Sequence, residues 1–522
     1  MSDANDYSSI HIESSLPKVW EQETTFNDVL YDWMSRAPWL AISAIAHLLL
    51  FLILMAIPWD LLRPKDDKEI NASIEQTPEE VFEDPPPEEP EEIEELEVEE
   101  EPVLKDAEVS DHNEEDVNQE FESTEGDPDF LSDSPFDDKA FNDVIGIGGG
   151  AGGKFGGRFG GKRNLKARGG SGTEQALKDG LEWLKNHQST DGYWDVDGFM
   201  HNNSLGQSCT CDGPGQEIHD VGITGLSLLA FLGDGNTTRQ GPYKEVVARG
   251  VNWLREQQDR DTGLIGDRVG HGFIYDHAIA TLAITEAYYF SKNPLIKSTA
   301  QNAINYVLRA RNPYSAWRYE VPPNGENDTS VTGWMVFALK SAEEGGLKID
   351  KDAYAGALSW IDEVTDPATG RVGYDTIGSL SSRIPRVNDH FPAEKGEAMT
   401  AVGLLCRFFM GQDPDKEPIM KKHAELMASN PPKWDPEGRG CDMYYWYYGS
   451  YAMYQMGDPY WKKWNDSMKD AVVKSQRKDG DFLGSWDPVG PWGFSGGRVY
   501  STAAMVLCLE VYFRYAKVLG AR

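Results

Sequence analysis

Carboxylate side chains stand at the start of four apolar segments of this 522-residue chain: Asp220, Asp276, Asp328 and Glu397. Imidazoles lie close to three of them, at His219, His277 and His390. A carboxylate beside an imidazole can act as general acid or base, and a ring of such groups can hold a cation, a sugar or an amine. The alternative is that each acid caps a helix and accepts hydrogen bonds from its first N–H groups. Both interpretations remain open from the sequence.

A second group with possible chemistry is Cys209-x-Cys211, which has His201 and His219 nearby in the sequence. Thiolates and imidazoles are zinc ligands, but zinc sites with short cysteine spacings usually draw on a second, distant pair, and none follows here. The sequence therefore predicts no metal and no cofactor, with Cys209, Cys211 and His219 as weak candidate ligands. The chain has five cysteines, and this odd number indicates no disulfide framework.

These residues must be positioned by a repeat of paired helices. In its clearest copy, residues 176–195, Leu177, Leu181 and Leu184 recur at helical spacing among charged residues. Such amphipathic segments alternate with segments that are apolar all round, which begin near residues 220, 276, 328, 397, 444 and 498. An amphipathic helix suits an outer layer and an apolar helix suits an inner one. We predict an all-α fold over residues 173–516, an (α/α)6 toroid of six helical hairpins.

Closure of this toroid would bring the four carboxylates to one mouth of a central cavity. Three aromatic side chains of the inner segments, Trp334, Tyr445 and Trp446, are candidates for lining that cavity. Aromatic residues on inner helices also serve as core, so the cavity and its unidentified ligand are a prediction.

Two helix ends carry a glutamine, a glycine and an aromatic at fixed spacing: Gln188-x-x-x-Gly192-x-Trp194 and Gln476-x-x-x-Gly480-x-Phe482. A third, distorted copy surrounds Gln257 and Gly263. These turns resemble the QW motif of the squalene/hopene cyclase and protein prenyltransferase repeat superfamily. The resemblance covers roughly residues 173–516 and implies an α/α toroid; the motif itself is a structural staple and reports the fold.

The catalytic sets of that superfamily are not matched. Triterpene cyclases use an Asp-x-Asp-Asp acid, and the nearest string here is Asp195-Val-Asp197-Gly198. Protein prenyltransferases bind zinc through Asp, Cys and His, and Arg439 stands where the aspartate would precede Cys441. The resemblance thus implies no known catalytic set.

Four segments precede the helical repeats. Residues 1–36 form a polar tail, and residues 37–59 are 23 residues without a formal charge. As a helix this stretch spans about 34 Å, enough to cross a hydrocarbon core of about 30 Å, so it predicts a single-pass transmembrane helix. Residues 60–145 form an acidic spacer with 33 Asp or Glu and three bases between 66 and 143, whose mutual repulsion predicts disorder. Residues 146–172 form a Gly-rich basic linker.

Within the predicted membrane helix, Ser43 and His47 are four residues apart and share one face, with Leu54 one heptad further. An ionisable residue at membrane depth is a functional hypothesis by default. The face resembles the anchor helix of TonB-type energy transducers, and this resemblance implies contact with ExbB/ExbD-like membrane proteins. The alternative is a tolerated neutral histidine. On the same resemblance we expect the cytoplasmic (inner) membrane, with the C-terminal domain in the periplasm.

The main functional hypothesis is a membrane-anchored toroid that binds a ligand or protein partner outside the cytoplasmic membrane without catalysis. One alternative is an enzyme that acts on an isoprenoid or a glycan with non-standard catalytic residues. Another is a TonB-like coupling protein. Specific nucleic-acid binding is not expected of a chain with a formal charge of −37.

Overall fold

The computed structural model describes residues 169–388 and 390–514, together with Leu48. The predicted membrane helix with Ser43, His47 and Leu54, the acidic spacer and most of the basic linker lie outside the described residues. Within the part that is described, no helix has both the length and the apolar character needed to cross a membrane.

Two sets of helices alternate along the described chain. The first set, numbered odd, is α1 (Glu174–Asn186), α3 (Lys244–Glu256), α5 (Pro294–Arg309), α7 (Asp352–Glu363), α9 (Pro418–Ser429) and α11 (Tyr460–Ser475). The second set is α2 (Asp220–Gly233), α4 (Phe273–Ser291), α6 (Thr329–Gly345), α8 (Ala398–Phe409), α10 (Met443–Met456) and α12 (Gly493–Leu509). A short α13 (Val511–Arg514) follows.

The even-numbered helices form a closed ring. Each packs against the next in chain order, and α12 returns to pack against α2. The odd-numbered helices stand outside this ring, each against neighbouring even-numbered helices. The prediction of an all-α toroid of six hairpins is confirmed for the described residues, whose β-pairing is limited to two isolated bridges.

Burial follows the periodicity of each set. In α1 the apolar stripe of Leu177, Leu181 and Leu184 is buried, while charged residues face outward. In α10 every residue except Met456 is buried. The inner helices approach closely because they carry small residues: a Cβ added at Gly225 of α2 would lie 2.9 Å from backbone atoms of Ala280 in α4. Two inner helices could not pack this closely with larger side chains at that point.

The glutamine staple joins consecutive outer helices. Gln188 Nε2 donates to Gly192 O at 2.7 Å and to Val246 O of α3 at 2.9 Å. Trp194 Nε1 donates back to Leu184 O at 2.8 Å. These buried hydrogen bonds fix the first repeat to the second.

In the other two copies the structure corrects the predicted residues. Gln258, not Gln257, donates to Gly263 O and to Thr299 O. In the sixth repeat Gln476 donates to Gly484 O, and Trp486 takes the role assigned to Phe482. The turn is four residues longer than the motif, so spacing alone selected the wrong glycine and aromatic. Gln476 also donates to Ala176 O of α1 at 2.7 Å and so closes the ring.

Aromatic side chains fill the interior of the ring. Trp334 of α6 stacks on Tyr447 of α10 with ring centroids 5.7 Å apart, although α8 lies between these helices in the ring. Ser330 and Tyr444 hydroxyls meet at 3.0 Å. Trp334 thus lies inside the ring, as predicted, and is buried against aromatic side chains of α10.

The other two aromatic candidates are also core residues. Tyr445 contacts the outer layer, because its hydroxyl donates to Asn430 O at 2.9 Å and its ring meets Trp464 edge-on. Trp446 is buried. Neither side chain is available to a ligand in this structure.

Candidate functional site

The mouth is the end of the ring where the inner helices begin, and three carboxylates meet there. Asp195 and Asp197 follow the first glutamine staple, and Asp220 is the first residue of α2. One carboxylate oxygen from each lies within 4.8 Å of the others. Asp220 Oδ1 accepts from Val196 N–H at 2.9 Å, and Asp195 Oδ2 accepts from Asn202 Nδ2 at 2.9 Å. The sequence separates Asp220 from the other two, and the fold assembles an aspartate triad.

The charges that act on Asp220 are mainly other carboxylates. Burial first, and then the nearby Asp195 and Asp197, raise its pKa to about 7, against the Val196 N–H bond, which lowers it. Burial and then Asp195 also raise the pKa of Asp197. Because like charges in a partly desolvated group cannot all ionise cheaply, the triad holds a proton near neutral pH. A carboxyl group with such a pKa can donate that proton to a substrate.

The next group along the mouth is a histidine–carboxylate pair. His219 Nδ1 lies 3.2 Å from both carboxylate oxygens of Asp276. Burial lowers the pKa of His219, but hydrogen bonding and charge from Asp276 outweigh it, so the pKa is raised overall. The charge of Asp220 also raises the pKa of His219, so the His219–Asp276 pair lies next to the triad. The predicted carboxylate–imidazole contact is therefore present.

Asp328 lies in the third sector of the mouth, fully buried. It caps α6 by accepting from Val331 N–H at 2.7 Å, so the capping interpretation holds for this residue. Its Oδ2 lies 3.9 Å from Arg318 Nε. Burial raises the pKa of Asp328 to about 7, against that hydrogen bond and that charge.

Tyrosines surround this aspartate. The Tyr319 and Tyr374 hydroxyls are hydrogen-bonded, and the Arg318 guanidinium lies 5.4 Å and 5.9 Å from the centres of their rings. Tyr275 lies close enough for the charge of Asp328 to raise its pKa further, after burial as the main cause. Because Tyr275 precedes Asp276, the acidic groups of the first three repeats form one arc.

The remaining three sectors carry arginine–carboxylate pairs. Arg371 binds Glu397 through two hydrogen bonds of 3.1 Å and 2.7 Å. Arg383 lies 3.4 Å from Asp442, which also caps α10 through Tyr445 N–H. We call the sectors of α2, α4 and α6 the acidic half of the mouth, and those of α8, α10 and α12 the paired half.

In the last sector the charged residue at the start of the inner segment is an arginine and not an acid. Arg498 of α12 is fully buried and donates from Nη2 to Asp212 at 2.6 Å, and the same nitrogen lies 2.8 Å from Asp487. Sequence reasoning missed Asp442 and Arg498, although both stand at the start of an inner segment as Asp220 and Asp328 do. That shared position is the signal that could have found them.

Asp276 does not occupy the place equivalent to Asp220, which is a correction. In four repeats the incoming chain donates an N–H to a threonine in the first turns of the inner segment, as Trp194 N–H does to Thr224 Oγ1, four residues after Asp220, at 3.0 Å. In the second repeat the acceptor is His277 Nδ1, at 3.0 Å from Ile265 N. The residue of the second repeat that is equivalent to Asp220 is therefore Phe273, four residues before His277. Asp276 lies nearly one turn further along α4.

This arrangement also removes His277 from the mouth. Its Nε2 lies 3.2 Å from Ala303 O of α5, and burial lowers its pKa to about 3, so it is a neutral structural side chain. His390 is exposed and packs against the adjacent Phe391 ring. Of the three predicted imidazoles, only His219 joins the carboxylates.

The two cysteines predicted as candidate zinc ligands lie beside His187, and not beside His201 or His219. Cys211 Sγ lies 3.6 Å from His187 Nε2, and Cys209 completes the cluster. His219 is paired with Asp276, and His201 is exposed and bonded to Ser208 Oγ at 2.9 Å. His187 was overlooked because it lies in the helix end before the loop that carries both cysteines.

No protein-family model matches the chain. A squalene–hopene cyclase of Bradyrhizobium diazoefficiens is 26% identical over 219 residues, covering 38% of this chain. The chain thus spans only 30% of the length of that relative. This similarity agrees with the superfamily to which the glutamine motif pointed.

Three solved structures align with this chain at low identity and with TM-scores below 0.5. An α-1,6-mannanase of Salegentibacter sp. HEL1_6 has a TM-score of 0.44 and 11% identity, over 65% of this chain and 98% of its own. The type II terpene cyclase MstE from Scytonema has 0.39 and 12%, over 67% and 98%. Unsaturated glucuronyl hydrolase from Bacillus sp. GL1 has 0.42 and 16%, over 67% and 100%. At such scores the residue roles in those proteins do not transfer to this chain.

Proposed function

We propose that this protein is a toroidal enzyme that performs acid–base chemistry at the acidic half of the mouth, with Asp220 as general acid. The observation that carries the proposal is the aspartate triad, whose three carboxylates lie within 4.8 Å of one another while the pKa of Asp220 is raised to about 7. A proton held at that pKa is available at neutral pH. We favour this enzymatic role over the non-catalytic binding role predicted from the sequence.

The favoured reaction is hydrolysis of a glycosidic bond in a polysaccharide. The triad faces solvent, since Asp197 is exposed and Asp195 is half-buried, and this suits a polar substrate. Retaining glycosidases use two carboxyl groups about 5 Å apart, and the triad brings oxygens of three carboxylates to within 4.8 Å of one another, which is no farther apart than that. Asp195 accepts hydrogen bonds from Asn202 and Gly198, so its oxygens are fixed as acceptors for the nucleophile or base role.

The test uses the full chain in detergent and measures reducing ends released from a panel of polysaccharides. Asp220→Asn should lower the rate at least about 100-fold, because it removes the proton donor while keeping the Val196 N–H acceptor. The wild-type rate should fall as pH rises through about 7, where Asp220 loses its proton. Asp259→Asn is the matched control, because Asp259 is an exposed turn aspartate of the second repeat.

A calcium site would overturn the proposal, because three carboxylates also suit a hard divalent cation. Calorimetric titration with CaCl2 separates the two outcomes. Tight binding that Asp220→Asn abolishes, with no release of reducing ends from any glycan, would make the triad a structural cation site.

A second candidate is protonation of an isoprenoid, favoured by the similarity to a squalene–hopene cyclase. The triad supplies three carboxylates, as an Asp-x-Asp-Asp acid does. The packed aromatic interior of the described residues speaks against it, because a cyclisation chamber must admit the hydrocarbon. Conversion of squalene by wild type but not by Asp220→Asn would favour this candidate over glycan hydrolysis.

We propose further that residues 37–59 tether this enzyme to the cytoplasmic membrane with the toroid outside it. The support is their 23 uncharged residues and the acidic spacer that follows. Contact with an ExbB/ExbD-like motor through Ser43 and His47 belongs to the same proposal, and a test on His47 is given below.

A further inference from the structure

A buried cluster of one imidazole and two thiols lies apart from the carboxylates of the mouth. His187, Cys209 and Cys211 are only 2%, 9% and 7% exposed, and one ligand atom from each lies within 4.8 Å of the others. Neither thiol is engaged in a disulfide. The mechanism proposed for the triad uses none of these three side chains.

The spacing matches a tetrahedral zinc centre. With Zn–S of about 2.3 Å and Zn–N of about 2.05 Å, tetrahedral ligands stand about 3.6 Å apart for S and N and about 3.8 Å apart for two sulfurs. The observed separation between Cys211 Sγ and His187 Nε2 is 3.6 Å. One ion at ordinary bond lengths can therefore bind both atoms without displacing either side chain.

The histidine is oriented as a metal ligand. His187 Nδ1–H donates to Trp183 O at 2.8 Å, so the lone pair of Nε2 is directed toward the thiols. The Trp183 ring stacks on the imidazole at 4.0 Å and Phe199 meets it edge-on. A ligating histidine commonly donates its second ring N–H to a backbone carbonyl, which fixes tautomer and ring orientation. Cys209 Sγ also accepts from Cys211 N–H at 3.4 Å, a contact that stabilises thiolate charge.

The cluster lies at the seam where the ring closes. Thr210, between the two cysteines, donates its N–H and its hydroxyl to Asp481 Oδ2 at 2.7 Å and 2.8 Å. Asp481 O accepts from Trp183 Nε1 at 3.0 Å and lies 3.2 Å from Cys211 Sγ. Asp481 belongs to the long turn of the sixth repeat, so this loop joins the two repeats that no chain connection links directly.

We propose that His187, Cys209 and Cys211 bind one zinc ion that fastens the first repeat to the sixth. Both thiols release their protons when the ion binds, which gives a neutral complex with an imidazole ligand. Among the described residues no fourth side chain joins the cluster, so the fourth position is taken by water or a small exogenous ligand. Because the site stabilises the closed ring, its loss should lower stability first.

The test measures zinc in the full chain, purified with a thiol reductant and without chelator. We expect about one zinc per chain by elemental mass spectrometry, and loss of most of it in both Cys209→Ser and Cys211→Ser. Cys441→Ser is the matched control, since Cys441 is equally buried but belongs to no such cluster, and it should retain zinc. Cobalt substitution should give a thiolate-to-metal charge-transfer band in wild type and in the control only.

Removal of the ion should lower the melting temperature of wild type by about 5 °C, because zinc binds the folded chain alone. The same chelator should not shift Cys209→Ser. Two free thiols with no bound zinc or cobalt would overturn the proposal. So would a Cys209–Cys211 disulfide, seen as a 2 Da lower mass, if the reduced chain also fails to take up either metal. Neither outcome bears on the polysaccharide assay, so the two proposals fail separately.

Discussion

The two halves of the mouth differ in the partner of the charged residue that stands near the start of each inner helix. In the paired half, Glu397 and Asp442 each face an arginine, and Arg498 faces two aspartates. In the acidic half, Asp220 lies near other carboxylates, and Asp276 contacts one histidine, His219. A buried acid in close contact with an arginine is a structural tie, whereas Asp220 lies among carboxylates and Asp328 stands 3.9 Å from Arg318, and the pKa of both is raised to about 7. This difference is the basis for proposing acid–base chemistry in the first three repeats and structural ion pairs in the last three.

Removing the buried arginine of the paired half should have the largest effect on stability. Arg498→Met should lower the free energy of unfolding by roughly 3 kcal/mol, because Asp212 and Asp487 lose the buried arginine they share, while Asp487 keeps its ion pair with Arg477. Urea unfolding followed by circular dichroism measures it. A loss below about 1 kcal/mol would show that this pair does not support the paired half.

Asp442→Asn tests the paired half with a smaller change. Asparagine still caps α10, but Arg383 keeps its charge and loses its partner. We expect a loss of about 2 kcal/mol at pH 7. Equal stability to wild type in the same urea titration would remove Asp442 from the structural ties.

Asp328→Asn is the matched substitution in the acidic half, and its effect should depend on pH. Burial raises the pKa of Asp328 from 3.8 to about 7, so the folded chain holds a proton there that the unfolded chain has lost between those pH values. Wild-type stability should therefore fall as pH rises from 4 to 7. The asparagine variant should equal wild type at pH 4 and gain stability relative to it up to pH 7.5, by roughly 1.4 kcal/mol for each unit by which the pKa of Asp328 is raised. A variant that is less stable at both pH values would contradict the raised pKa.

The smallest effect on either half is expected from a substitution within residues 37–59. His47→Leu removes one polar side chain from residues 37–59, so membrane association and mouth activity should be unchanged. If Ser43 and His47 contact an ExbB-like protein, this variant should lose a crosslink to it that Leu49→Ile retains. A crosslink retained by both variants would remove the TonB-type comparison and leave the tether.

The helices and their layers follow from local sequence. The stripe of Leu177, Leu181 and Leu184 identifies an outer helix, and the nearly uninterrupted apolar run of α10 identifies an inner one. Both signals depend on residues a few positions apart, which is the range over which helical periodicity acts. The staple at Gln188 could also be predicted from local spacing, because its turn has the same length as the motif.

Tertiary structure decided which side chains meet. Gln476 reaches Ala176 O, 300 residues away in the chain, because the ring closes there. Asp220 joins Asp195 and Asp197, and His187 replaces His219 beside the cysteines, because loops of irregular length bring them together. Arg371 and Arg383 likewise reach Glu397 and Asp442 from loops without periodicity. Helical spacing assigns a residue to a layer, whereas its charge partner, and with it its pKa, depends on where those loops fold.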